Sequence, residues 1–357
     1  MLKKSVDLLK KYYWKLLIPI IAGIIVIKVP ISIELDELFS KDKKTIEEGT
    51  TITDTILSDS AKLIYDNTIV FDIQGENTVA INNYTDLLEN SVLRNDDSMK
   101  FHLNLKLANC YAIVQNENAT QDYFFAAEKS KFYSLYPLLK ADLLLSKGKF
   151  YLKINNSSEA ENLINQALAI YKRENNIEGK AFTLLALAEL HIILENYHTS
   201  KKQLSIAKSI FEQKNNKFGI AYTNLIVGKL AYSQKRYPDA SKWTIEALHY
   251  FKANKMKIEM AYSLFESGKA KFQLKKLNDA ENDFKNANSI FQNNKIQIEE
   301  GLTLFHLAEI SYFKEDFVAA KRLYVQADSL FRIKFYQKGR ELVSKRMEEL
   351  ENFELVN

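Results

Sequence analysis

The stretch Ile220–Glu259, IAYTNLIVGKLAYSQKRYPDASKWTIEALHYFKANKMKIE, decides the fold. Tyr222, Leu225, Ile226 and Leu230 fall at the spacing of one helix face. A turn at Arg236-Tyr237-Pro238-Asp239 follows, and then a second amphipathic run. This helical pair recurs every 40 residues. Ala127, Ala167, Ala207, Ala247, Ala287 and Ala327 fall in register. Ala160, Ala240, Ala280 and Ala320 make a second column, with Ser200 as its small substitute. Gly148, Ala188, Gly228, Gly268 and Ala308 make a third, preceded by Ala108. The pairs Ile170-Tyr171, Ile210-Phe211, Tyr250-Phe251, Ile290-Phe291 and Leu330-Phe331 make a fourth. Tyr197, Tyr237, Leu277 and Phe317 mark the turn. From Lys140 to Gly339 the register needs no gap, so that span holds five units.

The columns have a steric cause. Two helices that cross closely need a small residue at the crossing, because a larger side chain holds the backbones apart. A lone helical hairpin cannot bury both its faces, so neighbours must stack. The same frame runs back through residues 60–139 as two degenerate units. One keeps Ala108 and Ala127 but has Ser130-Lys131 where the apolar pair belongs. The other aligns Ala61 and Ala80 and has Leu87 in an alanine column. The expected architecture is all-α, a solenoid of about seven 40-residue hairpins.

The pattern of Gly228, Tyr237, Ala240 and Ala247 resembles the tetratricopeptide repeat family. The resemblance covers about Ser60 to Gly339. It departs from the usual unit of about 34 residues, and the usual Trp of the first helix and Pro of the second are absent. Forty-residue units are similar to the long-helix variants of bacterial peptide-sensing regulators and kinesin light chain. The resemblance implies a right-handed α-solenoid whose first helices line a concave, partner-binding face.

Composition limits the function. The chain has 357 residues, 46% hydrophobic and 26% charged, with 10 Gly and 4 Pro, which suits long helices and a large core. A net charge of +4 is too mild to argue for nucleic acid. The single Cys110 excludes an intrachain disulfide framework and reads as a buried structural thiol. None of the five histidines, His102, His191, His198, His249 and His306, forms a metal-binding i, i+4 pair. No phosphate-cradling glycine loop and no Ser-His-Asp or Cys-His arrangement stands out. We therefore expect no enzyme activity, no metal and no cofactor.

Residues 1–33 differ in kind. Lys3, Lys4, Lys10, Lys11 and Lys15 precede Leu16–Ile27, an uncharged run, and apolar residues continue past Lys28 to Ile33. Eighteen residues, Leu16 to Ile33, is the short end of what crosses a bilayer. The basic start predicts an uncleaved single-pass anchor with a cytoplasmic N-terminus and extracytoplasmic repeats. A cleaved signal peptide and a merely interfacial helix are the competing readings. Residues 34–59 read as a polar spacer. Asn175-Asn176, Asn215-Asn216, Asn254 and Asn293-Asn294 mark helix ends, and Gly179, Gly219 and Gly339 are expected to ease bends. Residues 340–357 read as a cap helix, with Leu342, Val343, Met347 and Leu350 on its apolar face.

The candidate partner-binding residues lie on the first helices. Glu189, Lys229, Lys269 and Glu309 form one row at 40-residue spacing, and Phe182, Tyr222 and Tyr262 form another. Two cations between carboxylates, beside tyrosines, suit an extended peptide bearing an acidic group. A solvated charged face over packed aromatics is the plainer reading of the same residues. The expected function is a membrane-anchored scaffold that binds a protein or peptide. A peptide-sensing regulatory receptor is the first rival. A subunit that packs against copies of itself or neighbours in a membrane complex is the second.

Overall fold

The computed structural model describes residue 72, residues 75–89 and residues 97–356, all within the unit Ser58–Asn357. The expected anchor, the spacer and most of the first degenerate repeat lie outside the described residues. Among the described residues every regular element is a helix. Helix α1 is Asn77–Glu89, α2 Asp97–Ile113, α3 Glu117–Glu128 and α4 Lys131–Leu135. The regular array follows as α5 Pro137–Lys153, α6 Ser157–Arg173, α7 Ile177–Ile193, α8 Tyr197–Gln213 and α9 Lys217–Ser233. It continues as α10 Tyr237–Ala253, α11 Lys257–Gln273, α12 Leu277–Asn293, α13 Gln297–Phe313 and α14 Phe317–Ile333, and ends in α15 Gln337–Val356.

The physical period is half the sequence period. Each helix from α5 to α14 has 17 residues. Three residues join each to the next, and the middle one has φ between 53 and 64° at every twentieth position from Asn155 to Phe335. Asn175 shows the geometry. Asn176 N donates to Tyr171 O at 2.9 Å and Asn175 N to Lys172 O at 3.3 Å. This is a Schellman ending, which satisfies carbonyls that the last helical turn leaves free. The last turn residue also starts the next helix. Asn176 and Asn216 accept from Gly179 N and Gly219 N, both at 2.7 Å. Asn254 and Asn294 act otherwise, donating back to Tyr250 O and Ile290 O at 2.8 and 2.9 Å. Lys255 and Lys295 then take the left-handed position. Asparagine therefore marks these ends by two mechanisms.

The small-residue columns lie at the crossings. A Cβ on Gly148 would come within 2.4 Å of Ile164, and one on Gly228 within 2.5 Å of Thr244. Ala160, Ala167, Ala188, Ala207, Ala247, Ala280, Ala287, Ala308, Ala320 and Ala327 are all fully buried. Tyr171, Phe211, Phe251, Phe291 and Phe331 are at most 2% exposed and join one hairpin to the next.

Gly179, Gly219 and Gly339 do not serve the bends. Only Gly75 among the described glycines has positive φ. A Cβ on Gly179 would lie 2.4 Å from the Tyr171 ring, and one on Gly219 2.3 Å from the Phe211 ring. These glycines give the stapling aromatic a flat seat on the next helix.

The degenerate repeat shows what losing the apolar pair does. Its second helix is broken into α3, of 12 residues, and α4, of five. Ser130 turns inward and donates to Asp97 Oδ2 at 2.8 Å. Cys110 is buried as expected and donates to Asp72 Oδ1 at 3.5 Å. Burial and the neighbouring carboxylate hold its thiol well above the usual range. At the other end α15 covers Tyr324 and Phe331 with Val343 and Leu350, 3% and 0% exposed. Leu342 departs from the expected face and is 40% exposed. It stands one residue, about 100° of helix, from Val343.

Gly219→Ala separates the two readings of these glycines. Alanine is the better helix former by about 1 kcal/mol, yet its methyl would press on the buried Phe211 ring. We expect a net loss of about 1–3 kcal/mol in urea denaturation. A raised midpoint would show that the ring moves freely.

Candidate functional site

First helices of successive hairpins, α5, α7, α9, α11 and α13, approach one another directly and form the inner layer. Their inward side chains meet across the groove. Lys153 of α5 lies 3.9 Å from Glu299 of α13, although 146 residues separate them.

The superhelix also touches itself. Lys257 Nζ reaches Glu76 at 2.9 Å, and Gly75 packs on Ile258. The turn after α2 sits on the start of α13, where Ile298 N donates to Gln115 Oε1 at 2.9 Å. Gln115 Nε2 donates to Glu299, and Lys334 Nζ donates to Gln115 O at 2.9 Å. The partners of α11 and α13 are 181 to 184 residues apart, so one coil takes between four and five hairpins. Successive coils are in contact along this seam.

The sequence rows land as follows. Lys229 Nζ and Glu189 Oε1 are 2.8 Å apart, and Lys229 stands 5.9 Å from the Tyr262 ring centre. Burial alone would lower the Lys229 pKa, but Glu189, Glu266 and the Glu189 hydrogen bond outweigh it and raise it. Lys269 pairs within its own helix, 2.8 Å from Glu266, and lies 4.5 Å from the Tyr232 ring centre. Glu309 is 5% exposed and belongs to the cap, accepting from Tyr324 and pairing with Arg346 at 2.6 Å. The charged row is therefore one cross-hairpin pair, one intrahelical pair and one buried cap contact.

The aromatic row is half core and half groove. Phe182 packs on Phe211 and Phe218, at 4.8 and 6.1 Å between ring centres. Tyr222 stacks on Phe218 at 5.9 Å. The Tyr262 ring meets Phe291 edge-on at 5.3 Å, and its hydroxyl donates to Glu299 Oε1 at 2.6 Å. Burial and then Glu299 hold the Tyr262 phenol well above the ordinary value. For Tyr222 the field of Glu189 leads and burial follows, again upward.

Glu299 thus joins the groove to the seam, because one carboxylate takes Tyr262 and Gln115 together. Lys149, Glu259, Glu266 and Glu299 belong to this surface but not to the rows as read. Lys149 stands 40 residues before Glu189, one step further along the same row. Glu259 and Glu299 occupy the Gly179-Gly219 register, where spacing alone suggested backbone. Among the described residues no group of three or more His, Cys, Asp or Glu is placed to hold a metal. None of the described helices is long and apolar enough to cross a membrane.

No family model and no curated protein matches the chain. Solved structures do. A Rap protein complexed with Competence and Sporulation Factor superposes with TM-score 0.59 at 16% identity, over 83% of this chain and 88% of that one. The fold is a tetratricopeptide-like helical-repeat solenoid. NprR in complex with its cognate peptide NprX gives TM-score 0.58 at 14% identity, over 82% and 86% of the two chains. The apo form of RapI gives 0.52 at 16% identity, over 78% of this tetratricopeptide-like chain and 99% of its own.

Glu259 gives the groove a pH signature. Burial pushes its carboxyl from 4.5 up to about 7. A raised carboxylate pKa favours the folded state in full below about pH 4.5, and this contribution is lost as pH rises through 7. Glu259→Gln keeps the neutral form at all pH. Urea midpoints should differ little at pH 5, while at pH 8.5 the variant should be more stable by about 1–2 kcal/mol, allowing for water in the groove. Equal midpoints at both pH values would place Glu259 in ordinary solvent.

Proposed function

We propose that this tetratricopeptide-like chain is a binding protein that holds a peptide, or an extended segment of a partner protein, along its inner face. The observation that carries the reading is the inner surface itself. Tyr222, Tyr262, Lys229 and Glu189 come from the first helices of three successive hairpins, α7, α9 and α11, and converge there, with apolar ring faces beside fixed charges. Such a surface suits an extended backbone with alternating apolar and polar side chains. Two structures of like fold are complexes, one with Competence and Sporulation Factor and one with the cognate peptide NprX. Crosslinking and pull-down from native membranes, with full-length wild type against Lys229→Glu/Tyr262→Ala, tests it. Specific partners should fall by about tenfold or more, and an unchanged partner list removes the groove.

The seam favours a regulatory receptor over a passive scaffold as the second reading. Glu299 ties the groove tyrosine to the coil contact, so a ligand that takes Tyr262 also acts on closure. Small-angle scattering should then show a change in radius of gyration when peptide binds. Identical curves would leave the scaffold.

The membrane anchor rests on Leu16–Ile33 and the lysines before it. We propose single-pass attachment, with the repeats on the extracytoplasmic side. Carbonate washing should leave the protein in the membrane. Protease added to intact cells, or to spheroplasts where an outer membrane exists, should digest the repeats. Digestion only after inner-membrane lysis would reverse the orientation.

A further inference from the structure

The outer face of α14 differs from that of the earlier second helices. Val318, Val325 and Ile333 lie within about 80° of arc, opposite the buried Ala320, Tyr324, Ala327 and Phe331. They are 84%, 52% and 60% exposed. The corresponding residues of α12 are Asn278, Lys285 and Asn293, and α6 and α8 are likewise polar there. Helix α10 is mixed, with Pro238, a half-buried Ile245 and Ala253. The turn after α14 is different again. Phe335 takes the left-handed position that Asn175, Asn215, Lys255 and Lys295 hold in the earlier turns between hairpins, and it is 91% exposed. A ring so placed adds little to the packing of the solenoid.

The surroundings of this strip are basic. Phe317 to Arg340 holds six cations and one acid, Asp328, a net +5 in a chain whose total is +4. Arg332 and Arg340 share Asp328, at 2.6 and 3.6 Å, and Lys334 donates to Gln115 O. Arg322 and Lys338 are exposed, and among the described residues no carboxylate pairs with either. Glu315 and Asp316 precede Val318, so the basic end of the strip is the one at Ile333 and Phe335. Exposed apolar side chains ringed by cations suit a surface that is apolar within and anionic outside. We propose that the outer face of α14 and the turn at Phe335 rest on an anionic phospholipid bilayer. Phe335 and Ile333 enter the headgroup–acyl boundary, and Arg322, Arg332 and Lys338 meet the lipid phosphates. A ring that protrudes from a turn needs no matching pocket in a fluid bilayer. A second copy fits less well, because it would set +5 against +5. Four side chains also fall well short of the about 800 Å² per partner of a stable dimer.

The test uses full-length protein reconstituted in vesicles of phosphatidylcholine alone or mixed with phosphatidylglycerol. Ser329→Cys, exposed between Val325 and Ile333, carries an environment-sensitive dye. Ser289→Cys, at the same place on α12, is the control. Cys110 is buried, and wild type taken through the same labelling gives the background. In the mixed vesicles, nitroxide-labelled lipid should quench the dye at 329 about threefold or more beyond the dye at 289. Phe335→Ser/Ile333→Ser and Arg322→Glu/Lys338→Glu should each bring it down to the control, with circular dichroism unchanged because all four side chains are exposed. Equal quenching at both positions, or in both kinds of vesicle, reports mere tethering near the bilayer and overturns the proposal. So does a dye at 329 that stays in water with every lipid, which leaves the strip to a partner protein. A dye response in detergent alone that grows with protein concentration assigns the strip to a second copy instead. Carbonate extraction of the same vesicles reads the Leu16–Ile33 anchor separately. Protein that is extracted, yet was quenched only with phosphatidylglycerol present, keeps the docking surface and loses the anchor.

Discussion

The structure depends on one contact made over and over: a ring at the end of each second helix, seated on the start of the next hairpin. Tyr171, Phe211, Phe251, Phe291 and Phe331 occupy this place and are at most 2% exposed. Each fully buried ring contributes about 2–3 kcal/mol by area alone. The contact fixes distance as well as energy, because a buried ring in close packing tolerates little movement. Glycine at 179 and 219 lets the following backbone come down onto the ring face. Where Ser130 and Lys131 replace the apolar pair, the helix breaks and the array loses its regular step.

Regularity within the hairpin comes from the three-residue turn. Its middle residue is left-handed at each step, yet the side chains there include Lys, Glu and Phe as well as Asn. For such residues the conformation costs roughly 1–2 kcal/mol. The two closing hydrogen bonds and the helix packing on either side offset that cost. Geometry is therefore imposed by the neighbours more than by the local residue. Equal steps accumulate into a coil, and after four to five hairpins the chain meets itself at Gln115, Glu76 and Lys257.

Closure gives the charged residues their surroundings. On an open helix face, Lys149, Glu259 and Lys229 would each be hydrated. In the coil, Glu259 and Lys149 feel each other's charge, while Lys229 feels Glu189 and Glu266. Glu299 takes hydrogen bonds from Tyr262 on the groove side and Gln115 on the seam side. The inner surface and the contact between coils consequently share an atom group, and neither can change without the other feeling it.

Much of this was legible in the residues alone. The 40-residue register of alanine, glycine and aromatic columns established helical hairpins that must stack, because small residues at fixed spacing have meaning only at a repeated crossing. The buried Cys110 and the cap helix were equally legible from periodicity. The role of Gly179 and Gly219 was not, since spacing cannot distinguish a bend from a seat for a ring. Nor did the row through Glu189, Lys229, Lys269 and Glu309 reveal that its members take different partners. Sequence determined which residues share a face, because that follows from helical periodicity and is local. The tertiary structure decided which of them meet, because the curvature that brings Lys149 near Glu259 and Gln115 onto Glu299 is the sum of many small packing angles, and no single repeat contains it.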